Sequence, residues 1–150
     1  MKKITITILL TLFTVGSILA QVTYTTPNDG GTYTLDDIAT LSPSTVTVSG
    51  TDYTLLENLE ISENDTFLID QDLTLSIDID LLITVFGAFN ITADAATITA
   101  IDTANPYEGF RFEEFSSIDL QNTTIEYGGG LRVLTEDFSI DNCTLTNNVE

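Results

Sequence analysis

Arg111 and Arg132 are the residues of this chain best suited to binding chemistry, because each occupies the third place of a recurring unit. Gly109-Phe110-Arg111-Phe112 returns 21 positions later as Gly130-Leu131-Arg132-Val133. Strand alternation turns Phe110, Phe112, Leu131 and Val133 inward and both arginines outward. If the two copies stack, the arginine positions stand about 4.8 Å apart. Two readings of the pair stand. A guanidinium ladder would grip a carboxylated sugar through bidentate hydrogen bonds. Alternatively, the arginines join Glu113, Glu114, Glu126, Glu136 and Asp137 in a surface salt-bridge array.

Acids offer a second chemistry. Asp65, Asp70, Asp72, Asp78 and Asp80 could supply oxygen ligands to calcium, the one cofactor considered, although no EF-hand loop or glycine-aspartate nonapeptide is present. The competing reading is a solvated acidic face. Paired carboxylates also serve glycoside hydrolysis, yet nothing marks a pair out from the 23 acids, so no catalytic residue is assigned. Histidine is absent, which excludes imidazole bases, histidine triads and histidine metal sites. The lack of lysine after Lys3 excludes Schiff-base chemistry. Cys143 is the single cysteine, so no internal disulfide forms; its parity with Leu145 predicts an inert thiol in the core. Gly128-Gly129-Gly130 lacks the lysine and helix of a phosphate-binding loop and reads as a tight turn. Thr97-Ile98-Thr99 and Thr144-Leu145-Thr146 resemble ice-binding ladders, but their rows do not read as continuous from rung to rung.

The elements that must position these residues follow from the repeat. Asp119-Leu120-Gln121-Asn122-Thr123-Thr124-Ile125 returns after 20 positions as Ser139-Ile140-Asp141-Asn142-Cys143-Thr144-Leu145. Ala88-Phe89-Asn90-Ile91 reads as an earlier, weaker copy of the unit at Gly109. A repeat of this length with alternating apolar positions predicts a coil in which each copy buries its apolar face against its neighbours. The expected fold is all-β, a right-handed parallel β-helix; a β-sandwich is the alternative. Asn122 and Asn142 fall at equivalent corners, where a left-handed backbone and stacked amides give asparagine a structural role.

Residues 1–20 combine Met1-Lys2-Lys3, an apolar run and Ala20, and read as a secretory signal peptide. Removing it leaves Arg111 and Arg132 against 23 acids, a net charge of −21. That surface repels phosphate backbones and anionic lipid, so neither nucleic acid nor membrane insertion is expected after cleavage. Residues 21–33 read as an exposed leader. Residues 34–44 read as a helical cap, with Thr34 and Asp37 close to a capping box and Leu35, Ile38 and Leu41 on one face. From 45 to 150 the pattern is rungs. Asn147-Asn148-Val149-Glu150 stop inside a rung, so further rungs are expected beyond.

Leu59–Asn90, Thr124–Tyr127 and Asn142–Asn148 resemble rungs of secreted right-handed parallel β-helix proteins of the pectate-lyase-like superfamily. The Thr34–Pro43 segment is similar to the start of such proteins in bacteria using type IX secretion. The resemblance implies a secreted or cell-surface module with a structural, adhesive or glycan-contacting role, whose partner is a polysaccharide or cell-surface glycan. The alternative it implies is the opening portion of a polysaccharide lyase or glycoside hydrolase with its catalytic residues beyond residue 150. The want of histidine and lysine weighs toward the module.

A solenoid must cover its first turn. Deleting residues 34–42 is therefore expected to lower the melting temperature and promote aggregation, as read by a thermal melt followed with light scattering.

Overall fold

The computed structural model describes residues 21–149; the expected signal segment, 1–20, lies outside them. Three parallel sheets wind into a β-solenoid of about 4 turns. The first sheet joins β1 (Thr23–Thr25), β5 (Asn58–Ile61), β8 (Leu82–Val85), β11 (Gly109–Phe112) and β14 (Leu131–Val133). The second joins β2 (Thr32–Tyr33), β6 (Thr66–Ile69), β9 (Ala88–Ile91), β12 (Ser117–Gln121) and β15 (Phe138–Asp141). The third joins β3 (Val46–Ser49), β4 (Asp52–Leu55), β7 (Leu73–Ile77), β10 (Ala96–Ala100), β13 (Thr123–Glu126) and β16 (Thr144–Thr146). Every neighbouring pair is parallel except β3 with β4, which excludes the sandwich.

Alternation drives the winding. One side of every strand from β4 to β13 is buried, and the buried positions fall in register from turn to turn. Phe110 lies opposite Leu131, and Ile118 opposite Phe138. Phe67 and Phe89 are register partners whose rings stack with centroids 5.0 Å apart. Phe110 and Phe112 meet the Phe89 ring edge-on, each at 5.7 Å. Truncating such a ring to alanine costs about 3–5 kcal/mol, so these aromatics anchor the middle turns. Toward the last turn cover is lost, and Phe138, Ile140 and Leu145 are exposed.

Four expectations need correction. Residues 21–33 are not simply an exposed leader, because β1 pairs with β5, β2 pairs with β6 and Thr26 is buried. Val46 and Val48 do not open a rung; they lie in a strand that folds back as a hairpin on β4. The helix, α1 (Leu35–Leu41), forms as expected, with a full capping box between Thr34 and Asp37 and with Leu35 and Ile38 in the core; the correction is Leu41, which does not join them and is exposed. It packs against β2 and β3, the edge strands of two sheets. Finally, Ala88–Ile91 is not a copy of the unit at Gly109. It pairs with β12, and Ile83 of β8 is the residue opposite Phe110. The segment between β10 and β11 lengthens that turn and displaces the apparent period. It returns through Tyr107, which is buried and whose acidity is suppressed by burial and then by Glu126.

The first turn is held by a buried polar knot. Asp65 accepts hydrogen bonds from the backbone N–H of Asn28 (2.7 Å) and Gly30 (3.0 Å). Thr26 Oγ1 accepts from the Ser62 N–H, and the Ser62 hydroxyl donates to the Thr26 carbonyl. Burial by itself would raise the Asp65 carboxyl, but hydrogen bonds from Thr26, Asn28 and Gly30 outweigh it and hold its pKa below the usual carboxylate value. A lowered folded-state pKa contributes stability above the unfolded value, and that stability is lost as pH falls through the folded one. Asp65→Asn is expected to cost about 1–3 kcal/mol at neutral pH, and the gap from the parent should shrink below about pH 4. Urea titrations across that range check both.

Candidate functional site

β11 and β14 place the two arginines side by side. Arg111 and Arg132 are register partners in an outward row that continues through Thr84 and Glu60. Adjacent parallel strands set their spacing at about 4.8 Å. Arg111 forms an ion pair with Glu113 through Nε, with 41% of its side chain exposed, and its terminal nitrogens are not part of that pair. Arg132 is exposed and forms no ion pair among the described residues. Of the expected salt-bridge array only the Arg111–Glu113 pair is present among the described residues. No other cation exists beyond residue 20, so this row holds the only basic side chains of the described residues.

Next to it lies a feature that the alternation did not reveal. The corner from β11 to β12 is a tight turn in which the Ser116 hydroxyl and N–H both donate to the Glu113 carbonyl, at 2.7 and 3.1 Å. That turn puts Phe115 in the left-handed region, with φ +75°, and leaves the residue 85% exposed. Left-handed backbone costs an L-residue about 1–2 kcal/mol, and this ring recovers nothing by burial. One turn on, the corner from β14 to β15 is tied to it, with the Thr135 hydroxyl donating to the Ser116 carbonyl at 2.6 Å. Between the corners opens a groove of about 420 Å³ lined by Glu114, Phe115, Leu134, Thr135, Glu136 and Asp137. An exposed ring, an aliphatic wall and several carboxylates suit a sugar, whose C–H face packs on an aromatic while its hydroxyls donate to acids. The sequence signal was there: Glu113-Glu114-Phe115 sets a large aromatic between acids and a corner, outside the inward rows.

The acids do not gather as one site. Asp70 and Asp72 precede β7, whereas Asp78 and Asp80 follow it, so the length of that strand, about 16 Å, separates the two pairs. Asp72 accepts from the Ala95 N–H and Asp78 from the Ile79 N–H, while Asp65 serves the buried knot. No cluster of three or more potential metal-ligating acids or cysteines occurs among the described residues.

Asn122 and Asn142 both adopt left-handed backbone, with φ +49° and +52°. Asn142 Nδ2 donates to Asn122 Oδ1 at 2.7 Å, and Asn122 Nδ2 donates to the Ala93 carbonyl at 3.2 Å. Cys143 is half-buried rather than sealed in, because its turn is the last described. At the next corner Gly128–Gly130 lie close over the preceding turn: a Cβ on Gly129 would sit 2.0 Å from the Glu108 carbonyl oxygen.

On the third sheet most outward residues carry hydroxyls. Thr74, Thr97, Thr124 and Thr144 are successive register partners, so the reading that such rows are broken from rung to rung is corrected for this row, whereas the row of Thr99 and Thr146 is indeed interrupted, at Glu126. Uneven turn length hides the alignment of the Thr74 row until strands are paired. No protein-family model, curated protein or solved structure matches the chain.

If Phe115 is strained without compensation, relieving it should stabilise the fold. Phe115→Gly is expected to raise the unfolding free energy by about 0.5–1 kcal/mol, measured by denaturant titration.

Proposed function

We propose that this chain is an exported β-solenoid module whose corner between the first two sheets contacts acidic glycans. The observation that carries the reading is the in-register pair Arg111 and Arg132, the described chain's only cations, beside the groove under Phe115. Arg132 and the terminal nitrogens of Arg111 engage a uronate carboxylate, and the Phe115 ring packs on the sugar face. Glu136 and Asp137 accept from the hydroxyls. The acidic remainder of the surface repels every other part of a polyanionic polymer, so contact is confined to this corner and depends on ionic strength. The basic start and apolar run of residues 1–20 support export, which would bring the module to extracellular or cell-surface polysaccharide. No helix among the described residues is long and apolar enough to cross a membrane.

The test is calorimetric titration with uronate-containing oligosaccharides, chosen from a glycan array. Arg111→Ala and Arg132→Ala are each expected to weaken binding by about tenfold or more, the loss of one charge-assisted contact. Phe115→Gly should weaken it as well while leaving the fold more stable. Binding unchanged in the double arginine variant would overturn the reading.

A further inference from the structure

The third sheet carries a second surface that the glycan reading leaves unused. Its outward positions form two parallel rows. The first runs Asp52, Thr74, Thr97, Thr124, Thr144, each opposite the next. The second runs Thr54, Ser76, Thr99, Glu126, Thr146, with Thr47 of the hairpin extending it beside Thr54. Glu126 takes its place there because Ile98 lies opposite Ile125. Of the ten positions from β4 to β16, only Asp52 and Glu126 are not Thr or Ser, on a chain with 23 acids.

Three physical properties set this surface apart. It is a lattice: positions repeat about every 4.8 Å between strands and about 6.7 Å along them, twice the rise per residue. It is stiff, because each threonine is β-branched with a restricted χ1 and stands on a strand paired on both sides through the middle turns. And its hydroxyls are unspent. None of the eight Thr and Ser side chains in the ten positions makes a hydrogen bond among the described residues, whereas Thr45, Thr123 and Thr135 elsewhere all donate. Each threonine therefore offers solvent a methyl group and a free hydroxyl at a fixed place. A soluble polymer needs donors and acceptors in a cleft; a flat, rigid, largely uncharged lattice fits a periodic solid. Hexagonal ice repeats its oxygen positions over distances comparable to these two spacings. Water held in clathrate fashion around the methyls and bonded to the hydroxyls is thereby ordered in register with that crystal.

We infer that the outer face of the third sheet binds ice, through the threonine rows of β7, β10, β13 and β16. Glu126 is the defect in the lattice, since a carboxylate keeps its own hydration shell and interrupts the second row.

The test measures ice recrystallisation inhibition and thermal hysteresis with the full chain. The parent is expected to slow crystal coarsening at concentrations where an equal mass of serum albumin does not. Thr97→Tyr with Thr124→Tyr should raise the concentration required by an order of magnitude. Ser139→Tyr, on the outer face of the second sheet, should leave it unchanged. Glu126→Thr should lower it severalfold, a gain that no loss of folding can imitate. The inference is overturned if the parent matches albumin, if the double tyrosine variant with an unchanged melting curve is as active as the parent, or if Glu126→Thr brings no gain. Binding to insoluble cellulose that the tyrosine variants lose, with no effect on ice, would also overturn it and assign the lattice to a crystalline polysaccharide.

Discussion

Backbone hydrogen bonding between successive turns is the constraint on which this molecule rests. Parallel ladders hold each turn a fixed step from the last, so within a sheet each side chain stacks on the residues one turn above and below it in the same column. Inward columns of different sheets meet across the core, as Phe89 meets Phe110 and Phe112. Inward columns then run apolar over several turns, as in Phe67, Phe89, Ile118 and Phe138. A polar residue enters such a column only with a hydrogen-bond partner of its own, as Thr123 does opposite Ala96 by donating to the Gln121 carbonyl. The same rule works on the outside, where it turns a scattered set of polar residues into rows. Arg111 meets Arg132, and Thr97 meets Thr124, because the ladder stacks them in one column.

This explains which parts were legible in the sequence. Where two turns have nearly equal length, the repeat is visible to the eye; Phe110 with Leu131 and Asn122 with Asn142 were aligned from residue identity alone. Where loop length changes, the eye follows the wrong period. Ala88–Ile91 looks like a predecessor of Gly109–Phe112, yet the residues from Ile101 to Glu108 push the true partner of Phe110 back to Ile83. The hydroxyl row from Thr74 to Thr144 was lost for the same reason. The reversal of β3 was illegible because a hairpin and a rung share the same alternation, and only the tight Gly50-Thr51 turn distinguishes them. Phe115 was missed because a pattern search for inward residues passes over an aromatic that faces solvent.

The two surfaces argued for differ in kind. The corner beside Phe115 is concave and charged, and one of its two turns is strained at Phe115; such a place suits a ligand that approaches as a chain. The third sheet is regular and almost neutral, and it owes its character to the absence of corners. Both draw on the same scaffold without competing for residues, since β11, β14 and their corners contribute to one, and β7, β10, β13 and β16 to the other.

The backward course of β3 gives the solenoid a blunt pole. The third sheet ends there on a strand of four residues crossed by the helix, and β1 and β2, at three and two residues, offer the other two sheets little to extend. The helix lies across the same end. This end of the described stack therefore presents little regular edge to the opposite end of a second copy. The pole at β1 to β3 is thus built unlike the turns that follow it, with a helix and a reversed strand in place of a further turn.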